Sequence, residues 1–226
     1  MIQILANRYM IDEDWCLEAY KKYIRPDHKV LVIPFSYREG EVKDLDQWQT
    51  YYGQDQGLYY RGIVDSFKAF GIDEDQISLI NYFSHTKEEA KRLVETSHIL
   101  YFPGGLPDQM MKRLKDFDLV DPIKAHQGLV IGFSAGALIQ LKDYHLTPDK
   151  DYPIFSCHQG LNLTDAFYLE VHYNHHDLQK ASIKRLLKEG KKPVYAIEEE
   201  GALIIEEGQV MPLGRVHCYQ KLENLK

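Results

Sequence analysis

The hexapeptide Gly132-Phe133-Ser134-Ala135-Gly136-Ala137 restricts this chain more than any other stretch. It follows the apolar run Gly128-Leu129-Val130-Ile131, which reads as a buried strand, and it precedes a plausible helix over 135–142. A backbone that turns from strand into helix within one or two residues needs small neighbours at the bend, and Gly-x-Ser-x-Gly supplies them. Such a turn lifts a serine Oγ off the sheet edge, above a helix N-terminus that favours developing negative charge. A serine in this position can also be a plain N-cap. Glycine or alanine at four of the five positions around Ser134 favours the nucleophile.

The rest of the chain supplies the sheet that such a turn requires. Val30 to Pro34, Ile77 to Ile80 and His98 to Phe102 are short apolar runs rich in β-branched residues, each leading into a turn and a helix-period stretch. Helices are predicted over 12–23, 59–70, 86–97 and 108–123, with Thr86-Lys87-Glu88-Glu89 forming a capping box. This alternation predicts an α/β three-layer sandwich around a mostly parallel sheet. Residues 38–57 read as a polar, aromatic loop of the kind that forms lids or surface excursions. Further strands are expected over 155–157, 167–173 and 193–197. A C-terminal β-hairpin of 202–205 with 209–212 is expected to turn at Glu206-Glu207-Gly208. With 226 residues and no linker or repeat, residues 1–226 are expected to form a single α/β domain.

Charge and cysteine content narrow the function classes. A net charge of −7 without any Lys/Arg run argues against a nucleic-acid partner. No apolar run approaches the roughly 20 residues that cross a bilayer, and the N-terminus carries no leader pattern, so no membrane partner is expected. Three cysteines, Cys16, Cys157 and Cys218, do not make a disulfide framework and fit a reducing, cytoplasmic setting. Cys157 is expected in the core.

Acyl transfer at Ser134 would need an oxyanion hole and a base. The N–H of Ala135 is one expected donor, and Gly104-Gly105, directly after the strand ending at Phe102, offers Gly105 as the second. Six downstream histidines could serve as base: His145, His158, His172, His175, His176 and His217. His172 stands out at the end of a predicted strand, where a sheet presents groups to a crevice. His172, His175, His176 and Asp177 could also ligate a metal, but the alternating pattern before them does not put them on one helical face, so no metal is expected.

The order of these parts resembles a known family. The Gly-Gly loop, the Gly-Phe-Ser-Ala-Gly-Ala turn, His172-Tyr173 and then Ala196-Ile197-Glu198-Glu199-Glu200-Gly201-Ala202-Leu203 resemble the serine peptidases that include aspartyl dipeptidase (peptidase E) and cyanophycinase. The resemblance runs from about 98 to 214. It implies a class I glutamine amidotransferase-like sandwich, a nucleophile at Ser134, a base at His172 and an orienting acid at Glu199, with Glu198 and Glu200 close enough to leave the register open. By itself, a run of three glutamates reads as a solvated turn. Asn174-His175-His176-Asp177 stands where the family carries arginines, and Leu106-Pro107-Asp108-Gln109 also departs from its pattern, so the aspartyl preference is not carried over.

The expected function is therefore a serine-type hydrolase acting on short, peptide-like substrates without a cofactor; a homodimer is compatible with it. Two rivals remain at this level. One is an esterase of the α/β-hydrolase type, which would use a late histidine such as His217. The other is an inactive binding or regulatory protein on the same fold.

Overall fold

The computed structural model describes residues 1–54, 56–190 and 192–225. Its elements in chain order are β1 (Ile2–Ala6), α1 (Leu17–Tyr20), β2 (Val30–Val32), α2 (Leu45–Tyr52), α3 (Tyr60–Lys68), β3 (Ile77–Leu79), α4 (Lys87–Thr96) and β4 (Ile99–Phe102). They continue with α5 (Pro107–Asp116), α6 (Val120–Ala125), β5 (Leu129–Phe133), α7 (Ala135–Leu138), β6 (Asp143–Leu146), β7 (Ser156–Gln159), β8 (Tyr168–Glu170), α8 (Asp177–Glu189), β9 (Val194–Glu206) and β10 (Gln209–Tyr219).

The main sheet runs in the order β10-β9-β1-β5-β4-β2-β3, with β8 added beside β9. The five strands from β1 to β3 in that order are mutually parallel, while β9 lies antiparallel to β1 and β10. Alternate residues feed opposite layers, as the two-residue period of a strand demands. Leu100, Phe102 and Val130 pack with Val94 of α4 and with Met110 and Leu114 of α5. Ile99, Tyr101 and Ile131 pack on the other face with Ile63, Val64 and Phe67 of α3. Helices thus cover both faces of the sheet, the three-layer α/β arrangement read from the sequence.

Several predicted elements move, for identifiable reasons. Residues 38–57 hold a helix, because Asp44 accepts the Gln47 N–H as an N-cap and Trp48 and Tyr52, one turn apart, are buried beside Tyr37 and Val42; residue 55 lies outside the described residues. The helix predicted over 12–23 contracts to four residues, with Cys16 offering no side-chain cap. The stretch 108–123 breaks in two where Asp118 adopts φ +54° and the Leu119 N–H reaches back to Leu114 O. Strands 193–197 and 202–205 are one strand, β9, so the glutamate run lies within it and is not a turn. The hairpin turn falls at Glu207 and Gly208, both with positive φ. Cys157 is exposed, not core, on the separate β6–β7 ribbon. β1 has no counterpart among the predicted strands, although it is central, because the polar Gln3 interrupts its apolar run.

Among the described residues no helix is long and apolar enough to cross a membrane.

Candidate active site

Ser134 follows β5 directly and sits at φ +51° and ψ −108°, a strained conformation for a residue with a side chain. The glycines around it are required by close backbone packing. A Cβ on Gly132 would meet Gly136 O at 2.1 Å, and one on Gly136 would meet Phe102 O at 2.1 Å. The turn is fixed by Ser134 N–H donating to Ala6 O at 2.9 Å, so β1 holds it from one side and β4 crowds it from the other. Ser134 is the N-cap residue of α7, yet its hydroxyl makes no capping hydrogen bond. The Oγ lies instead 2.9 Å from His172 Nε2.

His172 lies two residues beyond the end of β8 rather than at it, with φ +52°. Its backbone is held on both sides: its N–H donates to Asn7 Oδ1 at 2.9 Å, and its carbonyl accepts from Gln179 Nε2 at 2.9 Å. The imidazole Nδ1 faces Glu199 Oε1 at 2.8 Å, completing a chain of contacts from Ser134 through His172 to Glu199. Glu198 and Glu200 point elsewhere, as strand alternation requires for the neighbours of Glu199. Glu198 contacts His217 and His175, and Glu200 lies 3.8 Å from Arg215.

The glutamate run sits where β9 changes neighbours. The first residues of β9 pair with β8 and its last with β1 on the same edge, while on the opposite edge β10 is irregular between Gly214 and Val216. Asn7, just past β1, bridges this junction by donating from Nδ2 to the carbonyls of Ile197 and Glu198, both at 2.7 Å.

Gly105 and Ala135 line the same cavity of about 400 Å³ as Ser134 and His172. Gly105 has φ +136°, and a Cβ there would meet Ser36 O at 2.5 Å. The loop is tied down by Ser36 Oγ donating to Gly104 O at 2.5 Å and by Leu106 N–H donating to Ser36 O at 2.8 Å. Among the described residues, neither the Gly105 nor the Ala135 N–H donates to an acceptor of the chain, which is the condition a pair of oxyanion donors must meet.

The other histidines have different partners. His145 Nε2 is 2.6 Å from Glu170 Oε2 in a buried pair on the cavity wall, joined by Thr147 Oγ1 donating to the same oxygen at 2.8 Å. His158 contacts Ser156 Oγ at 2.8 Å, and the His176 ring accepts the Leu178 N–H as the cap of α8. His217 is on β10 and not in a polar tail, with Nε2 2.7 Å from Glu198 Oε1. The hydrogen bond with His217, and secondarily that with His175, holds the Glu198 carboxyl below the usual carboxylate range. Among the described residues, His172, His175, His176 and Asp177 do not converge as a ligand set, whereas His175, Glu198 and His217 do.

Asn7, Gln179, Ser36 and the His145–Glu170 pair form part of this site without having been legible as such. A small-residue turn or a charge run can be seen in sequence; an amide reaching 165 positions along the chain cannot.

Comparisons with known proteins follow the same lines. No curated protein sequence matches the chain. A provisionally assigned peptidase E protein from Listeria monocytogenes EGD-e is similar in structure, with a TM-score of 0.65 at 18% identity over 95% of this chain and 98% of that one. A peptidase from an acI-B1 Actinobacterium is similar with a TM-score of 0.67 at 17% identity, over 98% of this chain and 91% of that one. At these identities the likeness is one of fold. The sequence model of Peptidase family S51 matches residues 52–213, which run from the end of α2 into β10 and include Ser134, His172 and Glu199. This chain belongs to peptidase family S51.

Proposed function

We propose that this peptidase cleaves short peptides through an acyl-enzyme on Ser134, with His172 as general base and acid, Glu199 as the residue that orients it, and the N–H groups of Gly105 and Ala135 as the oxyanion hole. The observation that carries this reading is the contact chain Ser134 Oγ to His172 Nε2 at 2.9 Å and His172 Nδ1 to Glu199 Oε1 at 2.8 Å. Ser134 Oγ attacks the scissile carbonyl carbon while His172 Nε2 takes its proton. The carbonyl oxygen, now negative, accepts from the two free N–H groups. The C–N bond breaks as His172 returns the proton to the leaving amine. Water then repeats the sequence on the ester, with His172 again as base, and releases the acid. Glu199 holds the Nδ1–H tautomer and stabilises the imidazolium formed in each half-reaction.

The cavity, of a size for a small ligand, supports short substrates. Membership of family S51 and the Ser, His, Glu order speak against an α/β-hydrolase esterase, and His217 is engaged with Glu198. That β1 and β9–β10, from opposite ends of the chain, are sheet neighbours supports one domain over 1–226. Rapid-mixing kinetics with an activated ester test the acyl-enzyme directly. A burst of leaving group close to one per chain, absent in Ser134→Ala, is the expected result; a linear trace together with rapid single-turnover hydrolysis in Ser134→Ala would refute a covalent role for this serine.

A further inference from the structure

A second convergence of polar side chains lies beside the Ser134 site and takes no part in the steps above. His175 Nε2 and His217 Nε2 face one oxygen of Glu198, Oε1, at 3.4 and 2.7 Å. The three donor atoms lie within 4.8 Å of one another. They arrive from three separate parts of the fold: the loop between β8 and α8, strand β9 and strand β10. The two imidazoles meet edge to face, with centroids 5.0 Å apart, and Tyr173 packs against both at 4.5 and 5.4 Å. His175 holds φ +64°, a conformation uncommon for a residue with a side chain, and so its ring is directed at Glu198 at some backbone cost.

We propose that His175, Glu198 and His217 form a binding site for a late first-row divalent cation of the zinc class, with a fourth position open to water. Donor chemistry selects the ion. Two imidazole nitrogens and one carboxylate oxygen suit zinc, cobalt, nickel or copper, whereas calcium and magnesium require shells built from oxygen. Geometry agrees. Zinc bonds of about 2.0–2.1 Å to nitrogen or oxygen place tetrahedral donors roughly 3.3 Å apart, and the two nitrogen-to-oxygen distances of 3.4 and 2.7 Å bracket that value. Small rotations of two partly exposed imidazoles close the third side. The nearest competing cation, Arg215, stands 3.8 Å from the other carboxylate oxygen, Oε2, and its side chain is 67% exposed, so it can withdraw without cost to the core. On binding, the ion takes the place of the proton shared by His217 and Glu198, and a water completes the shell.

The site differs from the Ser134 chain of contacts, but its ligands neighbour that chain in sequence. Glu198 precedes Glu199, and His175 follows His172 by three residues. A bound ion therefore clasps the loop and the strand that carry the base and the acid.

Cobalt(II) titration of the chelator-stripped protein tests the proposal, with no use of peptidase activity. The expected result is a saturable visible d–d absorption at one cobalt per chain, displaced by zinc, and a rise in melting temperature with zinc. His175→Ala, His217→Ala and Glu198→Gln should each weaken zinc binding by ~100-fold or more, since loss of an outer-shell partner alone commonly costs ~10–100-fold. His176→Ala, adjacent in sequence but directed elsewhere, should bind as wild type does. Metal-free melting curves of each variant separate lost ligation from lost folding. Absence of a saturable cobalt band, or zinc affinity unchanged in all three folded ligand variants, would overturn the site, as would equal loss in His176→Ala.

Discussion

Asn7 holds His172 through its backbone: Asn7 Oδ1 accepts the His172 N–H at 2.9 Å, while Asn7 Nδ2 donates to the carbonyls of Ile197 and Glu198. One buried amide therefore fixes the spacing between the loop that carries His172, the proposed base, and the strand that carries Glu199, the proposed acid. It also supports His172, whose own φ is positive. The proposed catalysis through the 2.9 Å contact of Ser134 with His172 needs such a clamp, because reacting groups misplaced by about 1 Å can cost on the order of 100-fold in rate.

The clamp predicts that Asn7→Ala lowers kcat by about 10- to 100-fold with little change in KM. Losing these hydrogen bonds, although Ile197 O keeps the Tyr173 N–H, should also cost about 1–3 kcal/mol of stability. Steady-state kinetics and chemical denaturation of the same preparation check both. Full kcat with lost stability would make Asn7 a structural residue only.

The glutamate run offers an internal control. Glu199→Gln keeps the shape but loses the charge that favours the imidazolium, and should reduce kcat/KM by roughly 100- to 10,000-fold. Glu200→Gln, on the other side of the strand, should change it by less than about twofold, within the range of ordinary surface substitutions. Comparable losses in both variants would mean that the run acts through its total charge and not through one aligned carboxylate.

How much of this was legible in the sequence follows from the range of each interaction. The turn at Ser134 was legible because its requirements are local: Gly132 and Gly136 leave no room for a Cβ, and a strand run precedes them. Glu199 was reached by resemblance, and His172 was first singled out by its place at the end of a predicted strand and then matched by resemblance. His172 is one of ten histidines, and three consecutive glutamates carry no mark of which one meets it. That choice depends on where β9 exchanges β8 for β1, a matter of tertiary pairing. Asn7 follows a strand hidden by Gln3, and its partners lie 165 to 191 positions away. The helix over Leu45–Tyr52 was obscured by its polar composition, although Asp44 and the Trp48–Tyr52 spacing were there to be read.

Acid sensitivity follows from buried histidines. Burial, aided by the N-terminal ammonium and by His98, holds His126 below its ordinary value of 6.5, and its Nε2 has no partner among the described residues. Burial and then Arg25 lower His28, which stacks on His98 at 5.2 Å. Because the folded state favours the neutral form, these groups contribute stability that is fully present above about pH 6.5 and is lost as the pH falls below it. Urea midpoints should therefore drop from pH 8 to pH 5, and His126→Gln should flatten that dependence. An unchanged slope in the variant would exclude His126 as a source of it.

The most direct test of the central claim is intact-mass analysis after incubation with a fluorophosphonate, which reacts with serines activated by a neighbouring base. The account predicts one adduct per wild-type chain, located on Ser134, and none in Ser134→Ala or His172→Ala. Labelling that persists in folded Ser134→Ala, or a wild-type protein that cleaves dipeptides yet stays unlabelled at Ser134, would contradict it.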